Sequence, residues 1–194
     1  MIDTLVAKVK GFLLDPVETF RQSKTDAPKS VFTFFGVLLL VNAILSTIIV
    51  AAGIEAMNVF GGTTFGAALP VVVFFIVLVG GFIFTLIFAA WTHLWVYVLG
   101  GRKGIMQTVN AILYGSTPHL LLGWIPFIGI IFTLWTLVLN VLGIRELQEL
   151  STGKAILAVV IAVIIPLVII LLSAAWFMTS YMSMTEVPVP PANC

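Results

Sequence analysis

Two histidines, His93 and His119, are the only side chains inside the long apolar segments of this 194-residue chain that could exchange a proton near neutral pH. No Asp, Glu, Lys or Arg lies within those segments. Proton relays, ion-coupled transport and charge-selective pores rest on ionisable groups at depth, so the composition argues against all three. An intramembrane enzyme would be equally short of acid–base groups. Nor could the two histidines share a metal. Counting at 1.5 Å per residue, His93 lies about 9 Å and His119 about 21 Å from the same end of their segments, roughly 12 Å apart in depth against metal–nitrogen bonds of about 2 Å. Each is expected to be neutral and hydrogen-bonded to a neighbouring helix, and no metal, cofactor or catalytic residue is assigned.

A polar stripe offers more. Gln107, Asn110, Tyr114 and Thr117 follow helical spacing, with Ser116, Pro118 and His119 close by. Such a stripe should face protein, leaving positions 109, 112 and 116 toward lipid. His93, Thr136 and Asn140 fall at similar depth on other segments, so His93, Gln107, Asn110, Tyr114, Thr117 and Asn140 form the candidate intramembrane cluster. Its members either join helices, at on the order of 0.6 kcal/mol per bond, or line a polar cavity open to the cytoplasm. Pro118 removes a backbone donor and is a candidate kink. Ser151-Thr152-Gly153-Lys154 is superficially like the end of a phosphate-binding loop. It lacks the upstream glycine, the following Ser or Thr and a preceding strand, so Ser151 is read as a helix N-cap.

The elements that must hold these residues are membrane helices. With 61% hydrophobic and 9% charged residues, most of the chain is not solvated by water. Long apolar runs without period-two alternation select helices over a barrel. The expected fold is all-α: a five-helix transmembrane bundle over residues 30–178, with spans at about 31–52, 69–99, 105–123, 125–143 and 155–178. An amino-terminal arm (1–29) precedes it and an external Pro-rich tail (179–194) follows. Within the arm, Ile2, Leu5, Val6, Val9, Phe12 and Leu13 mark one face of an amphipathic helix that suits the headgroup boundary and docking on the bundle equally well. Asp15-Pro16-Val17-Glu18 predicts an N-cap, Pro at N1 and a reciprocal N3 carboxylate for a second short helix bearing Phe20. The 31-residue run 69–99 is too long for a straight span and must tilt, kink or emerge, with Gly80-Gly81 the weak point. Gly123-Trp124-Ile125-Pro126 must turn tightly.

Charge sets the expected orientation. All nine Lys and Arg residues lie in segments on one side of the five spans, and the stretches 53–68, 123–126 and 179–194 contain none. Cationic segments stay on the cytoplasmic side, which puts the amino terminus inside and Cys194, the single cysteine, outside. Residues 1–29 carry charges throughout, so no cleavable signal peptide is expected. Lys8, Lys10, Arg145, Glu146, Glu149 and Lys154 make up the candidate cytoplasmic interaction surface. It faces anionic inner-leaflet lipid of the bilayer, a protein partner or a second copy of the chain; nothing in the pattern suggests nucleic acid.

Gly100-Gly101, Tyr114-Gly115-Ser116-Thr117-Pro118, and the run Gly143-Ile144-Arg145-Glu146-Leu147-Gln148-Glu149-Leu150-Ser151-Thr152-Gly153-Lys154-Ala155, with Asp15-Pro16 and Phe20 ahead of span one, resemble the Yip1 family over roughly residues 10–175. The Leu-Ser-Thr-Gly-Lys-Ala and Tyr-Gly-x-x-Pro segments are the most specific parts. The resemblance implies five spans and a cytosolic amino terminus. It also implies the family's link to vesicle traffic, prenylated Rab-type GTPases and membrane shaping. The acidic Asp-Leu-Tyr-Gly-Pro motif associated with GTPase binding is absent and the arm is short, so GTPase binding is not carried over. The chain looks like a prokaryotic member residing in the cell membrane.

The expected function is therefore that of a non-enzymatic membrane adaptor, scaffold or shaping protein of Yip1-like, trafficking-related type. The alternative is a channel or transporter-like site for a small neutral solute or metal, lined by the stripe of span three.

Overall fold

The computed structural model describes residues 2–53 and 68–185, and among them every regular element is helical. The predicted 53–68 loop, apart from its ends, and most of the external tail, including Cys194, lie outside the described residues.

Helix α1 (Ile2–Leu14) and the short α2 (Pro16–Gln22) form the arm. Asp15 caps α2, its Oδ1 accepting from the Glu18 amide at 3.5 Å, and Pro16 occupies the first turn. The capping box is not reciprocal as expected. Glu18 turns outward to Arg21 at 3.0 Å and Gln22 at 3.1 Å, because the Asp15 amide is already bonded to the Gly11 carbonyl at 2.8 Å.

Among the described residues, four helices are long and apolar enough to cross a membrane: α3 (Pro28–Ala51), α4 (Leu69–Val98), α7 (Ile128–Gln148) and α8 (Thr152–Thr185). Helix α4 contains a π-helical turn at Ile76–Gly80, immediately before Gly81. Its end is shaped by Gly100, whose φ of +104° suits a residue without a Cβ. Helix α8 runs seven residues past the expected end of span five, with Pro166 inside it.

The third expected span is not one helix. It is divided into α5 (Ile105–Gly115) and α6 (Thr117–Leu122), broken at Ser116 as Pro118 enters the first turn of the second piece. The expected lipid-facing side is also corrected: Val109 and Ile112 are buried and Ser116 is half-buried. Every residue of α5 from Thr108 to Gly115 is buried, because α3, α4 and α7 all pack on it and the arm closes its remaining side. Gly123 to Phe127 makes the expected tight turn, where the Gly129 amide donates to the Ile125 carbonyl at 2.8 Å.

The apolar core is concentrated around α5. Phe12 and Phe20 from the arm join Phe34, Ile112, Leu113, Tyr114, Leu139, Ile144 and Leu147, all buried. By contrast the large apolar side chains of α8 beyond Ile164 are mostly exposed. In a bilayer, lipid covers such a surface.

Candidate functional site

The buried polar side chains fall into three groups rather than one cluster. The first is a clasp between the arm and the central helix. Lys8, placed by sequence on the polar side of α1, turns inward: its Nζ donates to the Tyr114 hydroxyl at 2.8 Å and pairs with Asp26. The Tyr114 hydroxyl donates in turn to Asp26 Oδ2 at 2.5 Å. Beneath this trio the Phe12 ring stacks on Tyr114 with centroids 4.7 Å apart, and Phe34 meets the same ring edge-on at 5.2 Å. Burial alone would raise the Asp26 carboxyl, but the bonds from Lys8 and Tyr114 and the Lys8 charge outweigh it and hold the group below its usual range. Gln107 strengthens the seam by donating to the Lys24 carbonyl at 3.2 Å.

The second group ties α4, α5 and α7 together. Gln148 Nε2 donates to Thr108 Oγ1 at 2.9 Å and to the Gly104 carbonyl at 2.8 Å, while its Oε1 accepts from the Lys103 amide at 3.1 Å. Thr108 Oγ1 also meets His93 Nδ1 at 2.8 Å. His93 is thus separated from the stripe, bonded to a residue on another side of α5. Thr108 and Gln148 carry no distinctive spacing in the sequence, which is why they escaped notice there.

The third group surrounds the break in the central segment. Thr117 Oγ1 bonds back to the Tyr114 carbonyl at 2.6 Å. Asn42 Nδ2 donates to the Leu120 carbonyl at 3.0 Å, and His119 Nδ1 meets Thr133 Oγ1 at 3.0 Å. Asn140 is packed against Gly115 so closely that a Cβ there would lie 2.1 Å from Asn140 Oδ1. Asn110 and Asn140 are both buried with Oδ1 unpaired. Beside them α3, α4, α6 and α7 border an open-sided cavity of about 630 Å³. Asn42, Ser46, Ser116, His119, Thr136 and Asn140 contribute polar groups to its wall, but Gln107, Asn110 and Tyr114 do not reach it.

At the basic end of the bundle, three segments distant in sequence are joined by ion pairs. Glu149, which ends α7 in the left-handed conformation, meets Lys24 at 3.3 Å and Lys103 at 2.6 Å. Those bonds hold its carboxyl below the ordinary range. Glu146 meets Arg145 at 2.8 Å and Arg21 at 3.8 Å. Lys10 and Lys154 are exposed. Of the candidate surface residues, Lys8 is therefore occupied within the fold, whereas Arg145, Glu146, Glu149 and Lys154 stand at this end.

Compared with known families, the chain matches the Yip1 domain over residues 10–177, most of its length. The chain belongs to the Yip1 family. It is accordingly an integral, multi-pass membrane protein, in keeping with its four long apolar helices. No curated protein and no solved structure matches it. Placed on this Yip1 chain, the motif glycine Gly115 makes room for Asn140, and the motif Tyr114 anchors the arm. Among the described residues, no three His, Cys, Asp or Glu side chains are grouped to hold a metal.

Proposed function

We propose that this Yip1-family protein is a non-enzymatic scaffold of the cell membrane of a prokaryote, with its amino terminus cytoplasmic and its carboxy terminus external. Its braced cytoplasmic face engages anionic lipid and shapes or organises the membrane around it. The observation that carries the reading is the meeting of the arm, the 99–104 turn and the 145–154 connector at one end of the bundle, through Lys24, Lys103 and Glu149 and through Arg21, Arg145 and Glu146. Exposed single pairs contribute little to stability, so their value here is to fix three cationic segments as one surface. Such a surface attracts anionic headgroups at about 1 kcal/mol per nearby cation. A protein partner or a second copy would use the same face. Crossing by five spans, with α5 and α6 together making the third, goes with this orientation.

The test is reconstitution at increasing protein density into vesicles with and without phosphatidylglycerol. Protein-dependent narrowing or tubulation of the anionic vesicles is expected, weakened by Lys10→Glu with Lys154→Glu. Vesicles of unchanged radius, or an effect indifferent to lipid charge, would reject the proposal.

A further inference from the structure

The geometry points to a binding site for a neutral, hydroxyl-bearing, single-chain amphiphile, of the monoacylglycerol type, in the cavity between α3, α4, α6 and α7. This goes beyond the scaffold role and does not rest on it.

The walls decide the ligand class. Leu39, Ile76, Val77, Phe84, Phe88 and Ile112 supply an apolar lining suited to a hydrocarbon chain. The polar groups named above are all uncharged, so an anionic or cationic headgroup would enter without a counter-charge. The volume of about 630 Å³ lies within the range of small-molecule sites. The π-helical turn of α4 forms part of the wall, and such turns recur at functional sites.

Asn140 supplies the independent observation. It is 2% exposed, lies on the cavity and makes no hydrogen bond through its amide. An apolar side chain of similar size would avoid the cost of an unpaired buried amide, yet Gly115 is shaped to receive this one. His119, on the same wall, is engaged through Nδ1 with Thr133 and has no partner at Nε2. A hydroxyl head can both accept and donate, and so can accept from Asn140 Nδ2 while donating to the free ring nitrogen. The chain then lies toward Phe84 and Phe88.

Purified full-length protein in detergent micelles would be titrated with monoolein, methyl oleate and hexadecane while the thermal midpoint is followed. Monoolein is expected to raise the midpoint saturably, on the order of 5 °C near saturation. Methyl oleate, which only accepts, should do less, and hexadecane should do nothing. Asn140→Leu should lose the monoolein increment. Ser46→Phe, at a wall position making no hydrogen bond, should lose it by filling the space. If Asn140→Leu does not fold, Ser46→Phe alone decides. No monoolein shift, equal shifts from all three compounds, or an undiminished shift in the folded variants would overturn the site.

Discussion

Lys8 and Tyr114, 106 residues apart in the chain, are joined by a 2.8 Å hydrogen bond from the ammonium to the phenol oxygen. Through it, and through Asp26, the amino-terminal arm is held against the most buried helix of the bundle. Docking, one of the two placements open for the amphipathic helix, is thus what the arm adopts, although Val6 and Leu14 stay exposed and available to lipid.

Removing only the phenol oxygen should loosen this clasp while keeping the Phe12 stack. Tyr114→Phe is expected to cost about 1–3 kcal/mol, because bonds to charged groups are lost. Faster amide exchange over residues 2–14 and earlier proteolysis within the arm are the measurements. Unchanged exchange would mean that ring packing alone holds the arm.

Acid should act on the same contact. The Asp26 carboxyl lies below its ordinary value of 3.8 in the folded protein, so the protein binds fewer protons there than the unfolded chain does. Stability from this group is fully present above the unfolded value and is lost as pH falls through the folded one. Arm protection should stay level above about pH 5 and decline below the unfolded value. Asp26→Asn should be weaker at neutral pH and lack this contribution to the acid-dependent loss, as read by amide exchange across the pH series.

Gly115 and Asn140 should behave as one unit. Gly115→Ala brings a methyl to 2.1 Å from Asn140 Oδ1, and overpacking of this kind costs about 1–3 kcal/mol. Asn140→Ala should relieve it, so the double variant should be less destabilised than the sum of the single ones. Thermal midpoints of all four proteins close the cycle, and strict additivity would show that α5 shifts instead.

Orientation is tested at Cys194, where no second thiol competes. An impermeant maleimide should label intact cells without permeabilisation. Labelling that appears only after permeabilisation would place the carboxy terminus inside and remove the five-span arrangement.

Thr108 offers a test of the second polar group. Thr108→Val leaves His93 Nδ1 and one Gln148 bond unpaired. A loss of about 1–3 kcal/mol is expected in chemical denaturation, larger than for a surface Thr→Val change.

Membrane class, helical structure and the positions of the long spans were legible in the chain itself, because hydrocarbon permits few alternatives to a helix and apolar length is read directly. The Asp15 cap, the turn after Gly123 and the irregularity beside Gly80-Gly81 were legible for the same reason: each is a local backbone requirement. Tertiary structure decided the rest. Helical spacing identified Gln107, Asn110, Tyr114 and Thr117 as one stripe but did not say what meets it. Two of them bond to the arm, Thr117 bonds back across the break to α5, and Asn110 bonds to nothing. Amphipathic period placed Lys8 on a solvent face, yet a long flexible side chain can turn back to a carboxylate that only folding brings near. The lipid-facing side expected for the central segment disappeared because neighbours enclose it from every direction, and Ser116, at its break, lines the cavity beside Asn140. Periodicity describes one helix at a time, whereas these outcomes depend on which helices surround it.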